Sequence, residues 1–182
     1  MVLKLLLVLC LSSMIPVHAG PSGGSASEEE YQVYKAFMSS SFIEKTDYAL
    51  YEKLGIYFIY NVKYEKPEDV IDFIKAHVGL SLDKELAKNF IAANHSPQKI
   101  NRSKLPGNLK YSDQFIRKDV YSFSRVGFNA NKDESLFYAS FSSLMEDGHG
   151  ALFYLKKTAG TWSVVKAAAV WMYGASVHPF NP

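Results

Sequence analysis

Apolar residues along this chain change period more than once, and each change marks an element. Tyr31, Tyr34, Phe37 and Met38 recur at helical spacing. Ser27-Glu-Glu-Glu30 stands just before them as a capping box, in which the serine hydroxyl and the Glu30 carboxylate satisfy each other's backbone amides. The three carboxylates also suit the positive end of a helix. The β-branched and aromatic run Leu54-Gly-Ile-Tyr-Phe-Ile-Tyr60 predicts a strand that joins the sheet edge. Pro67, followed by Glu68 and Asp69, opens a second helix with Val70, Ile71, Ile74 and Val78 on one face, closed by Gly79. Ser81 is the expected cap of a third, with Leu82, Leu86, Phe90 and Ile91 as its buried stripe and an end near Asn94.

From Asp119 to Tyr173 the period shortens. Val120–Phe128, Ser135–Ser142, Ala151–Lys156 and a run from Trp162 to about Tyr173 read as four strands. Asn129–Asp133, the loop Ser143–Gly150 and the hairpin Lys157–Gly160 separate them. Gly160 supplies a positive φ. Connections this short join antiparallel neighbours, so a meander is expected. Phe137, Ala139 and Phe141 alternate with Leu136, Tyr138 and Ser140, so both faces carry apolar groups and both are expected to be covered or used. Lys166 beside Ala167-Ala-Ala169 points to a bulge or a close-packed helix there. The predicted class is α+β: one domain over 27–182, with about three helices on a four- to five-stranded antiparallel meander sheet.

Composition narrows the setting. A formal net charge of +2 gives no whole-molecule field to gather nucleic acid. Residues 1–19 have the form of a signal peptide: Lys4, the apolar run Leu5–Leu11, and Val17-His-Ala19 before the expected cleavage at Gly20. That run is far short of the roughly 20 residues a membrane span needs, and no later stretch reaches it. Gly20–Ala26 is a flexible spacer. The single cysteine, Cys10, lies inside the leader, so a secreted or periplasmic domain without disulfides is expected, held by its core alone.

Candidate chemistry is sparse. Glu146-Asp-Gly-His149 puts a carboxylate and an imidazole two residues apart, an arrangement that serves acid–base work, a metal, or turn geometry alone. Arg125 is expected mid-strand with Tyr121 and Phe123 on its face, where a guanidinium needs a carboxylate or an aromatic ring; the three are the candidate ligand-binding residues, and a structural ion pair is the competing reading. The irregular stretch His95–Lys118 is basic (Lys99, Arg102, Lys104, Lys110, Arg117 and Lys118), which reads as a solvated loop or a dock for an anionic group. Two glycosylation sequons begin at Asn94 and Asn101, both read as surface loop. Nothing at metal or cofactor spacing appears, and no catalytic set is assigned.

Ser124-Arg-Val-Gly-Phe-Asn129, continued by Ser135-Leu-Phe-Tyr138, Ala151–Lys157, Gly160-Thr-Trp162 and Trp171, resembles a loosely defined family of small exported proteins, mostly bacterial. Weaker likeness extends to Glu30, Tyr31 and Tyr34 and to Phe90 through Asn94. The resemblance implies an N-terminal helix before a sheet and no particular activity. The chain departs from it at Met145–His149, where similar proteins carry a glycine-rich or cysteine-paired segment. The function expected from all this is a non-enzymatic module that binds a small molecule or a protein. The alternatives are a hydrolase or metal-dependent enzyme built on Asp147 and His149, and a secreted effector.

Overall fold

The computed structural model describes residues 25–43, 47–55, 66–114, 119–143 and 147–174. The expected leader (1–19), residues 20–24 of the expected spacer, residues 56–60 of the first expected strand, Arg117, Lys118, Met145 and Glu146 lie outside them. Helix α1, Glu28–Met38, opens on the expected capping box, with both Ser27 and Glu30 bonds present. Helix α2, Pro67–Val78, ends on Gly79 in the left-handed conformation. Helix α3, Lys84–Ala93, is capped by Asp83 rather than Ser81, because the aspartate side chain accepts from the Glu85 amide.

The strands are β1 (Ala49–Tyr51), β2 (Lys53–Leu54), β3 (Gln98–Lys99), β4 (Lys110–Ser112), β5 (Val120–Phe123), β6 (Gly127–Phe128), β7 (Glu134–Ser143), β8 (Asp147–Thr158) and β9 (Thr161–Gly174). Strands β5, β7, β8 and β9 form the expected antiparallel meander. The sheet is larger than expected, and it is mixed. Its order is β4-β1-β5-β7-β8-β9, with β6 also on β7, and β1 runs parallel to both β4 and β5. Parallel partners require long crossovers, and here α2 and α3 lie in the crossover between β1 and β5. Strand β2 stays out of this sheet and pairs with β3.

Two other expectations change. The strand over Val120–Phe128 is broken, with Ser124–Val126 between β5 and β6. The loop Ser143–Gly150 is mostly strand, so Asp147 and His149 lie in β8. Of two register shifts between β8 and β9, the one at Tyr154/Leu155 falls beside Lys166, where a bulge is one of the expectations, and the other is at Gly150/Ala151.

Alternation along the strands sends two sets of side chains to two helical covers. Phe123, Phe137, Phe153 and Leu155 meet Tyr34 and Phe37 of α1. The Phe37 ring lies 4.6 Å from Phe153 and 5.1 Å from Phe137, both edge-on. Such pairs contribute about 0.5–1.5 kcal/mol each beyond the area they bury. Leu136, Tyr138, Leu152, Tyr154 and Ala168 face the other way, onto Val70, Ile74, Leu86 and Phe90 of α2 and α3.

Candidate functional site

Arg125 sits in the break between β5 and β6, not in mid-strand. Its side chain is buried against Glu30 of α1, with Nε donating at 2.6 Å and a terminal nitrogen at 2.9 Å. Burial works against the guanidinium charge, but the bond and charge of Glu30 outweigh it and the pKa is raised. Glu30 also accepts from the amides of Val126 and Ser27. The carboxylate that completes the capping box therefore also anchors the arginine. Asn94 holds the backbone of Arg125 from α3, donating to its carbonyl and accepting from its amide. Phe123 is buried among Tyr34, Phe37 and Phe137. Arg125 and Phe123 are thus committed to the core.

Tyr121 belongs to a different group. At the end of the sheet away from the β8–β9 hairpin, one level of side chains crosses the α1 face from strand to strand. Tyr48, just before β1, lies 4.9 Å from Tyr121 of β5; Tyr121 lies 4.9 Å from Phe141 of β7; Phe141 lies 5.7 Å from His149 of β8. Met172 of β9 stands opposite His149 in the register. The middle of the row is buried and its Met172 end is open: Tyr121 and Phe141 are 2% and 3% exposed, Tyr48 and His149 are partly buried, and Met172 is 41% exposed. Burial raises the Tyr48 pKa. One level further out, Ser143 stands opposite Asp147 and donates to Asp119, a polar rim above the rings.

The opposite face at this end is built to close. A Cβ on Gly148 would lie 2.5 Å from the Tyr173 ring, and one on Gly150 would strike the Tyr138 hydroxyl and the Trp171 indole. Trp171 and Tyr173 stack on each other at 5.7 Å, and Trp171 Nε1 donates to Tyr138 at 2.7 Å. The glycines let two rings lie flat on the strand.

Sequence reasoning placed Asp147 and His149 together, and the structure keeps them on one face of β8. Among the described residues no three His, Cys, Asp or Glu side chains converge to hold a metal. Among the described residues of the basic stretch, Arg102 pairs with Glu52 and lies over the Tyr111 ring, Lys104 pairs with Glu28, and Lys110 with Asp47. Of the sequon asparagines, Asn94 has its amide engaged inside the fold and Asn101 is exposed. The row itself was missed. Tyr121 was singled out for a different reason, and Tyr48, Phe141 and Met172 carried no local signal, since only the register of five strands aligns them. Comparison with protein-family models, with curated proteins and with solved structures finds no match.

Proposed function

We propose that this chain is an exported, non-enzymatic binding module, and that it takes a small molecule or a segment of another protein at the open end of the aromatic row. One observation carries the reading: the Tyr48–Tyr121–Phe141–His149 row runs out from the core to Met172, the more exposed of the two large apolar side chains found on the described surface. Ring faces with a polar rim are what a site needs to desolvate the apolar part of a ligand and orient it by a few hydrogen bonds. The leader-like pattern of residues 1–19 supports export, and N-terminal sequencing of secreted protein should begin at Gly20.

The test is ligand-observed NMR on the full chain against sugars, aromatic amines and acids, and short peptides. The reading expects hits that His149→Ala and Met172→Asp weaken together at unchanged melting temperature. Hits that bind the variants and the wild type alike would remove it. The hydrolase or metal-dependent alternative rests on Asp147 and His149 sharing a face. It requires zinc by elemental analysis, or ester or peptide turnover that disappears in His149→Ala. A secreted effector would use the same surface on a host protein, and the peptide arm of the screen addresses it.

A further inference from the structure

The fold treats the asparagines of the two sequons, Asn94-His-Ser96 and Asn101-Arg-Ser103, in opposite ways. Asn94 closes α3, and its side chain is fully used. Nδ2 donates to the carbonyls of Phe90 and Arg125, both at 2.9 Å, and Oδ1 accepts from the Arg125 amide at 2.7 Å. A sugar on that Nδ2 would replace one of its two hydrogens and push a bulky group between α3 and the Ser124–Val126 break. Asn101 is exposed, as are Arg102, Ser103 and Lys104 after it. Its Oδ1 accepts from the Ser103 amide at 3.1 Å and from the Ser103 hydroxyl at 2.9 Å. A backbone amide can only donate, so the atom turned towards Ser103 is the oxygen. Nδ2 is left with no partner among the described residues. The backbone beneath is fixed: the Tyr31 hydroxyl accepts from the Asn101 amide at 2.7 Å, and the buried Ile100 donates its amide to the Glu52 carbonyl.

We propose that Asn101 is an N-glycosylation site of the secreted chain and that Asn94 is not. The inference rests on the export reading, because the reaction needs a secretory compartment that holds a lipid-diphosphate-linked oligosaccharide and its transferase. There the Asn101 Nδ2 attacks the anomeric carbon of the first sugar. The C–N bond forms as the C–O bond to the diphosphate breaks, the Nδ2 proton passes to the released diphosphate, and nothing is oxidised or reduced. A glycan at Asn101 displaces no bond of the fold. Only a chain bare at Asn94 can close the bonds from Asn94 to Arg125. The glycan also stands clear of the aromatic row. Strand β1 starts beside Tyr48 and runs away from the row to Glu52, the residue that holds Ile100. Lys104 reaches Glu28 at the start of α1, whose neighbour Glu29 bonds Lys157 in the β8–β9 hairpin. Asn101 thus lies towards the hairpin end of the sheet, and the row lies at the other.

The test is mass spectrometry of the full chain secreted from cultured animal cells, intact and as peptides, before and after peptide N-glycosidase. That enzyme converts a glycosylated asparagine to aspartate and so marks it. The mark should fall on Asn101 and not on Asn94. S103A removes the Asn101 sequon and should abolish the glycan, whereas S103T preserves the sequon and should keep it. S96A removes the other sequon without touching the Asn94 side chain, and should change nothing. Both serines are exposed, and melting curves check that the variants remain folded. Secreted protein without a glycan overturns the proposal. So does a glycan that survives S103A, or a mark on Asn94 in secreted protein. If residues 1–19 deliver no protein to the medium, the export reading fails instead. The same domain behind a leader of proven strength then decides Asn101 by the same readings.

Discussion

At the scale of single residues, the buried Glu30–Arg125 pair decides most. Removing one member of a buried pair strands the other charge, at about 3–5 kcal/mol. Arg125→Met should therefore lower stability by that order. E30M/R125M should recover part of it, though not all, because the Val126 and Ser27 amides also lose their acceptor. Urea unfolding of the three chains checks this, and a double variant no better than the single would mean that the pair's charges are not what matters. Glu29 gives a pH-dependent case. Its burial pushes the carboxyl up, but hydrogen bonds from Lys157 and Trp162 outweigh that and hold it below the usual carboxylate range. A depressed folded value means the contribution is present above the unfolded value of about 4.3 and is lost as pH falls through the folded one. Glu29→Gln should thus be less stable than wild type by about 1 kcal/mol at neutral pH. The gap should narrow in acid, read from urea midpoints at the two pH values. The sequence marked Arg125 as needing a carboxylate; it could not show which one, because Glu30 is 95 residues away and already had a local role in the helix cap.

At the scale of elements, the run Ser124–Asn129 shows why a specific-looking motif need not mark a ligand site. Ser124 bonds Tyr138 through both its amide and its hydroxyl, and its carbonyl accepts from Tyr34. Arg125 and Val126 share Glu30, and Phe128 packs 5.8 Å from Trp162. The Asn129 side chain ties the turn through Asp133 and Glu134. Gly127 lets β6 run against α3, since a Cβ there would strike the Phe90 backbone. Backbone cannot swing aside as a side chain does, so Gly127→Ala should cost at least the 1–3 kcal/mol typical of overpacking. Gly107→Ala, where nothing stands nearby, should cost far less. Thermal melts of the two variants compare them directly. Helices were legible because their information is local: the Ser27 box, Pro67, Gly79 and the 3.6-residue stripes sit in sequence where they act. The break at Ser124–Val126 was not, because a helix-borne carboxylate and an asparagine from α3 impose it from outside the strand.

At the scale of the molecule, the sheet has a helical layer on each side, and the question is whether the two layers form one cooperative unit. The meander was readable from its short turns. The parallel additions β1 and β4 were not, because three-residue strands carry almost no periodicity and their partners are set by the crossover. Buried tyrosines offer a probe of both layers at once. Tyr34 lies on the α1 side, where burial and then the Glu30 charge raise its pKa well above the ordinary range. Tyr138 and Tyr154 lie on the α2–α3 side, and burial raises both; Glu134 adds to it for Tyr154, and the bonds at Tyr138 offset it only in part. A raised folded value means the stabilisation is complete below the unfolded value of about 10 and is lost as pH climbs through the folded ones. Alkali should therefore unfold the chain above about pH 10. The sheet is common to both layers, and Ser124 joins the Tyr34 hydroxyl to the Tyr138 backbone, so neither layer can release its tyrosine alone. The tyrosinate absorbance and the far-ultraviolet dichroism should then change together in a single transition. Two separated steps, with part of the helix signal surviving the first, would show that the layers open independently.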